Sequence, residues 1–285
     1  MTVVSFPSGA TTGTGIVLAV IADPLGAVVV TDATPFHPVD HTWPDQPGDT
    51  GRLAVAGESA EVIDAVMAAR SADGAYAIGA DIPVKRGAPG WDWFVGHRLG
   101  ADAPTALEPG AHVVLDVDAE RRASLSRGHT ACHLSSLALD AVLADLWRKE
   151  ISADPLGHPD FEARAGQSSR IRPDGAVDEY RLGKSLRRAG FDTAGLAGSL
   201  PARAARANAL LAQWVAAGAA SRVVTDGPAI IDRRRWECDL PEGNVSFACG
   251  GTHVDSLRAF DTITVELDQR DPELLVMTTT AVPAR

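Results

Sequence analysis

The sequence predicts an α+β protein in two parts: a β-rich, barrel-like N-terminal domain over residues 1–118 and a mixed α/β domain over residues 119–285. Three observations point that way. Apolar, β-branched runs separated by turn residues dominate the first part. Past Arg121 an apolar period of helical spacing sets in. Helix and strand patterns then alternate to the end. At 285 residues, 45% of them hydrophobic, the chain suffices for one large domain or two ordinary ones with a real core. Aromatic residues are only 5%, so that core is built mainly from small and aliphatic side chains.

In chain order, residues 16–21 and 27–31 read as strands hinged at Asp23-Pro24-Leu25-Gly26, a hairpin with good turn chemistry. Thr12-Gly13-Thr14-Gly15 lacks the third glycine and the downstream acid of a dinucleotide fingerprint and reads as a turn. Residues 35–51 carry four prolines and two glycines, hence a long loop. A short strand follows at 53–56, the apolar period of 60–69 suggests a small helix, and 112–117 is a strand. In the second part, Leu134, Leu137, Ala141 and Leu146 recur at helical spacing and define a strong helix over about 129–149. Residues 155–178, rich in Pro, Gly, Asp and Ser, read as loop around one strand. A second helix spans about 201–219 with Pro201 in its first turn. Strands at 222–224, 229–231, 263–267 and 274–279 close the chain.

With 26 basic against 37 acidic residues, the net charge of −11 argues against duplex binding by long-range attraction, so no DNA partner is expected. One local exception stands out: Arg181, Lys184, Arg187, Arg188, Arg203 and Arg206 face a single acid, Asp192. Either they form a phosphate-binding patch, with Arg187 and Arg188 at its centre, or they are a solvated face. Three cysteines, Cys132, Cys238 and Cys249, are not the pattern of a disulfide-stapled secreted domain. The first basic residue is Arg52, so the start lacks a signal peptide's cationic stretch, and the apolar run 15–22 is too short to span a bilayer. A reducing, cytoplasmic setting away from membranes is the expectation.

His129-Thr130-Ala131-Cys132-His133 places two imidazoles at i and i+4, on one helix face and within reach of one ion. Cys249-Gly250-Gly251-Thr252-His253 sets a thiol and an imidazole four apart around a Gly-Gly pair that permits a tight turn. Together His129, His133, Cys249 and His253 are the N/S donor set zinc prefers, held between a helix and a Gly-Gly turn. The alternative is that Cys249 and His253 merely pack in a core. His37 and His41 are also four apart, but Pro38 and Pro44 break any helix there. His97, His112 and His158 have no partner at ligand spacing and are expected at the surface or in loops. Cys132 points to another helix face and is expected to pack.

The runs His129-Thr130-Ala131-Cys132-His133-Leu134 and Cys249-Gly250-Gly251-Thr252-His253-Val254 resemble the signature of the alanyl-tRNA editing family, HTAxHL followed by CGGTHV. Thr34-Pro35-Phe36-His37-Pro38 and Gln46-Pro47-Gly48-Asp49-Thr50-Gly51 resemble that family's N-terminal motif. Where the family carries glycines before the Gln-Pro pair, this chain has the polar loop Val39-Asp40-His41-Thr42-Trp43-Pro44-Asp45. No synthetase activation motif can be placed.

The resemblance implies a freestanding zinc-dependent deacylase acting in trans on the acceptor end of mischarged tRNA, removing serine or glycine from the alanine tRNA. The altered loop leaves room for a threonine-like or non-standard amino acid. Zinc orients water or polarises the ester carbonyl, with Cys249 the fourth and most distant ligand, because catalysis needs an exchangeable position. Gly250 and Gly251 offer backbone N–H groups to the developing oxyanion. Thr130 and Thr252 are either partners for a substrate hydroxyl or capping and turn hydroxyls. Gln46 and Asp40 are candidate substrate contacts, Asp40 and Asp45 for the α-amino group or simply as solvated carboxylates. Two other functions compete: a zinc hydrolase of small esters or amides, favoured by the acidic balance, and a non-catalytic RNA-binding module stapled by zinc. Oligomeric state is not written in these patterns.

Overall fold

The structure, a computed structural model, describes residues 1–100 and 103–285. Helices and strands mix as expected of an α+β protein. In chain order the strands are β1 (Val3–Val4), β2 (Thr12–Asp23), β3 (Gly26–Thr31), β4 (Ala33–Thr34), β5 (Gly51–Val55), β6 (Glu58–Ser71), β7 (Tyr76–Ile78), β8 (Trp91–Leu99) and β9 (His112–Val117). Helix α1 (Ala119–Leu143) and the short α2 (Glu162–Ala165) follow, then β10 (Gly166–Arg172) and β11 (Gly175–Arg181). Next come α3 (Lys184–Ala189), α4 (Thr193–Ala197) and α5 (Leu200–Ala217). The chain closes with β12 (Ser221–Thr225), β13 (Arg234–Leu240), β14 (Gly243–Ala248), β15 (Phe260–Asp271) and β16 (Leu274–Pro283). No helix among the described residues is long and apolar enough to cross a membrane.

Two compact units divide the chain, and neither is continuous. The first comprises Met1–Ala123, Val223–Arg235 and Cys249–Thr252; the second comprises Ser124–Arg222, Trp236–Ala248 and His253–Arg285.

The first unit is organised by a sheet of order β5-β9-β2-β3-β8-β6-β7, in which β5 also pairs with β6. The expected hairpin is there: β2 and β3 pair antiparallel and turn at Pro24-Leu25, with Asp23 facing Gly26. Thr12-Gly13-Thr14-Gly15 is the start of β2 rather than a turn, paired with β9. Glycine suits position 15 because a Cβ there would lie 2.6 Å from the Ala33 carbonyl oxygen. The small helix expected over 60–69 is instead the fourteen-residue strand β6. Its first half alternates, with Ala60 and Val62 buried and Ser59 and Glu61 exposed, and from Ala65 to Ala69 both faces are covered. Pairing with β5, β7 and β8 overrides the helix propensity of its alanines. Strand β8 went unread in the sequence, and it takes His97 into full burial rather than to the surface. Leu53, Val62, Met67, Trp93, Val95 and Leu115 fill the core of this unit.

Helix α1 begins ten residues before the sequence reading placed it, because Asp118 caps it: its carboxylate accepts the Arg121 amide at 3.0 Å. It ends at Leu143 in a 3₁₀ turn. In the second unit, the stretch expected as loop around one strand instead contributes two, the β10–β11 hairpin of the sheet β10-β11-β16-β15. Helix α5 lies along β15, where the Asn208 amide bonds both the N–H and the carbonyl of Val265 (2.7 and 3.1 Å). The sheet β12-β13-β14 contains two strands that the sequence reading missed. Residues 229–231 are not a strand; Ala229 forms only an isolated bridge with Val3.

Candidate metal centre

His129 and His133 lie in the middle of α1, not near its start, and one turn of helix brings their ring centroids to 4.9 Å. His253 follows the Gly-Gly turn, 4.4 Å from the His129 ring and 5.2 Å from the His133 ring. With Cys249 they form a group whose four ligand atoms all lie within 4.8 Å of one another, and it could hold a metal ion. Among the described residues it is the one such group. His37 and His41 are not part of it.

Hydrogen bonding decides which nitrogen His253 presents. The Thr130 hydroxyl donates to the Ser126 carbonyl one turn back (2.9 Å) and also lies 3.2 Å from His253 Nδ1 and from the Val254 amide nitrogen. A hydroxyl has one proton. With it given to Ser126, His253 Nδ1–H is the donor to Thr130, the tautomer in which Nε2 is the nitrogen able to ligate a metal. Thr130 is therefore neither a helix cap nor a group facing open solvent; it is fully buried behind the ligand.

The sequence reading missed the aromatic side of the site. The His133 ring lies 5.2 Å from both Phe247 and Trp236, at 9° and 22° to their planes. These residues come from β14 and β13, and Trp236 is fully buried. Alternation of Arg234, Trp236, Cys238 and Leu240 before a Glu242-Gly243 turn was the available signal.

The thiol of Cys249 is pushed up to about 12, first by desolvation and then by the nearby Asp45 carboxylate; a hydrogen bond from the Gly251 N–H and the Arg234 cation work the other way. The Gly251 amide is thus turned to the sulfur. A ligating cation would favour the thiolate over this protonated form.

Gln46 and Thr252 are both buried and clamp each other: the Gln46 carboxamide donates to the Thr252 hydroxyl (2.9 Å) and accepts the Thr252 amide N–H (3.0 Å). Gln46 thus holds the Gly-Gly turn. Asp49, in the same motif, accepts the His37 amide (2.5 Å) and pairs in full burial with Arg122, whose Nε lies 2.8 Å away. Gly48 is required because a Cβ would lie 2.0 Å from the Ala65 carbonyl oxygen. The motif therefore builds the loop as well as the site. Asp40 is engaged internally, bonding the Thr42 and Trp43 amides and Arg86.

The basic cluster is thinner than its sequence suggests. Arg203 is buried against Asp145 (2.7 Å), and Arg187 reaches Glu273 (3.4 Å) and the Leu182 carbonyl. Arg181, Lys184, Arg188 and Arg206 are exposed. Cys132 packs, as expected, within 3.6 Å of Asp178 and Ser169. No family model matches the chain and no curated protein matches it, so the meaning of the site rests on its own residues.

Proposed function

We propose that this chain is a zinc-dependent deacylase that acts in trans on mischarged aminoacyl-tRNA, a freestanding relative of the editing part of alanyl-tRNA synthetases. The observation that carries the reading is the meeting of His129, His133, Cys249 and His253, drawn from the two motifs that resemble that family's signature. Three imidazoles and one thiol suit zinc; a tetrahedral ion with bonds of about 2.0–2.3 Å sets its ligands roughly 3.4–3.8 Å apart. Donors already within 4.8 Å close on such an ion by small side-chain shifts. We also read the cycle of pairings completed by β5 and β6 as a small barrel.

The reaction adds water to the ester carbonyl carbon and breaks its bond to the ribose oxygen, releasing the amino acid and the tRNA hydroxyl. A bound zinc ion supplies a Lewis acid for that carbonyl. The protein's own groups do the positioning. Thr130 holds His253 in one tautomer, and Gln46 pins Thr252 so that the Gly-Gly turn keeps its shape. Trp236 and Phe247 pack on His133 and limit water around it. The cargo implied by the resemblance is serine or glycine. A small-ester or amide hydrolase is the second reading, favoured by the net charge of −11.

The test is ester loss from alanine tRNA charged with serine, glycine, alanine or threonine, with and without chelator. Chelator-sensitive loss of serine or glycine with alanine spared is expected, and His129→Ala and His253→Ala should each lose both metal and turnover. Indifference to all four substrates, with hydrolysis of a free amino-acid ester, would put the second reading first.

A further inference from the structure

The polar loop that departs from the family pattern has a use of its own. We infer that Trp43, carried on the loop 40–46, is the stacking platform for the terminal base of the acylated strand, with Arg86 donating to its sugar-phosphate. This rests on the deacylase reading.

The loop is built without help from the indole. Asp40 Oδ1 accepts from the Thr42 amide (2.7 Å), the Thr42 hydroxyl (2.6 Å) and the Trp43 amide (3.1 Å). The Trp43 carbonyl then accepts the Asp45 amide (2.9 Å), and Asp45 Oδ1 accepts the Gln46 amide (2.7 Å). With the backbone so held, the Trp43 side chain makes no hydrogen bond or ring contact among the described residues, and the residue stays 52% exposed. A rigidly presented, water-exposed indole is an unsatisfied apolar surface.

One end of the loop is tied to the turn that carries Cys249, and a partner of the other end stands close to it. At one end Gln46 clamps Thr252. At the other, Asp40 Oδ2 bonds Arg86 Nη1 at 3.2 Å, and that same nitrogen lies 3.7 Å from where a Cβ would stand on Gly250. Among the described residues Arg86 gives only this one side-chain bond, so its other N–H donors remain for a ligand. Asp40 offsets its charge, and its contribution is therefore hydrogen bonding more than attraction. An exposed aromatic residue three positions from the Gln46 clamp and a guanidinium close to the Gly-Gly turn match a nucleotide, since every base has a stacking face and every phosphate accepts from arginine. A free amino-acid ester has nothing to place on the indole.

The experiment compares wild type, Trp43→Ala and Trp43→Phe on seryl-tRNA and on serine methyl ester, and separately measures binding of an uncharged acceptor-stem hairpin with and without its last nucleotide. Trp43→Ala should lower kcat/KM for the charged tRNA about tenfold more than for the methyl ester, mainly through KM, with Trp43→Phe recovering most of it. Removing the last nucleotide should weaken hairpin binding to wild type and leave Trp43→Ala insensitive. Equal losses on both substrates, or hairpin binding indifferent to Trp43, would overturn the assignment. Failure of the deacylase reading looks different: wild type binds the hairpin in a Trp43-dependent way but turns over no charged tRNA.

Discussion

Thr130 is one residue from His129 in sequence, yet its role is to serve His253. Its hydroxyl is the acceptor for the imidazole Nδ1–H and for the Val254 amide, both at 3.2 Å. Thr130→Val keeps the shape and removes that acceptor, so two buried donors lose their partner and the ring loses its fixed tautomer. Affinity of the group for a metal ion should fall about 10–100-fold, with Thr130→Ser restoring most of it, as read by competition against a chromophoric chelator. Unchanged affinity in the valine variant would show that the ring is oriented by something else. The Arg122–Asp49 pair is a residue-scale device of another kind: both groups are buried, and together they secure the loop that delivers Gln46.

At the scale of elements, α1 is constrained by how closely the β10–β11 hairpin approaches it. A Cβ on Gly128, one position before His129, would lie 2.3 Å from the Arg172 carbonyl oxygen and 2.6 Å from that of Gly175. Gly175 in turn leaves no room against Thr279, whose carbonyl oxygen would stand 2.5 Å from its Cβ. Helix, turn and β16 are therefore stacked backbone to backbone. Gly128→Ala sets two effects against each other: a gain of about 1 kcal/mol in helix propensity and an overpacking cost of about 1–3 kcal/mol. Backbone atoms yield less readily than flexible side chains, so net destabilisation is expected, seen as a lower urea midpoint with unchanged slope. A raised midpoint would mean that the hairpin moves aside.

For the whole molecule, one contribution to the pH dependence of stability comes from two buried histidines remote in sequence from the candidate metal ligands. His97 gives its Nδ1–H to the Val29 carbonyl (2.9 Å) and accepts from the Thr34 hydroxyl at Nε2 (2.8 Å), so both nitrogens are used in the neutral form. Burial lowers its pKa from 6.5 to about 4, and burial with the Arg122 and Arg234 cations lowers that of His37 to about 3. Both stay neutral in the folded protein while the unfolded chain takes up protons below 6.5. Their contribution to stability is thus intact above pH 6.5 and falls as pH drops from there towards 4, by up to about 1.4 kcal/mol per pH unit for each histidine, while Asp140 and Glu162, whose carboxyls burial pushes up to about 9 and about 7, contribute with the opposite slope over that range. The imidazole nitrogen chemical shifts of His37 and His97 at pH 7, 6 and 5 check this, and both should stay those of the neutral ring. Protonation of either ring above pH 5 would show that it is not held neutral.

The sequence by itself determined the β2–β3 hairpin, the strand at 112–117, the body of α1 and the four residues whose grouping could hold a metal, because each is a local pattern: a turn between two apolar runs, a period, a spacing of four. It could not decide that 60–69 is a strand, since alanines suit either period until neighbours on both sides claim their backbone groups. Nor could it read β13 and β14 as the source of Trp236 and Phe247, or show Gln46 closing on Thr252 and Thr130 on His253. Those roles depend on which hydrogen-bond partner arrives from a hundred or more residues away. Only tertiary structure settles that, because a side chain's own neighbours state what it can donate or accept but not what will be there to meet it.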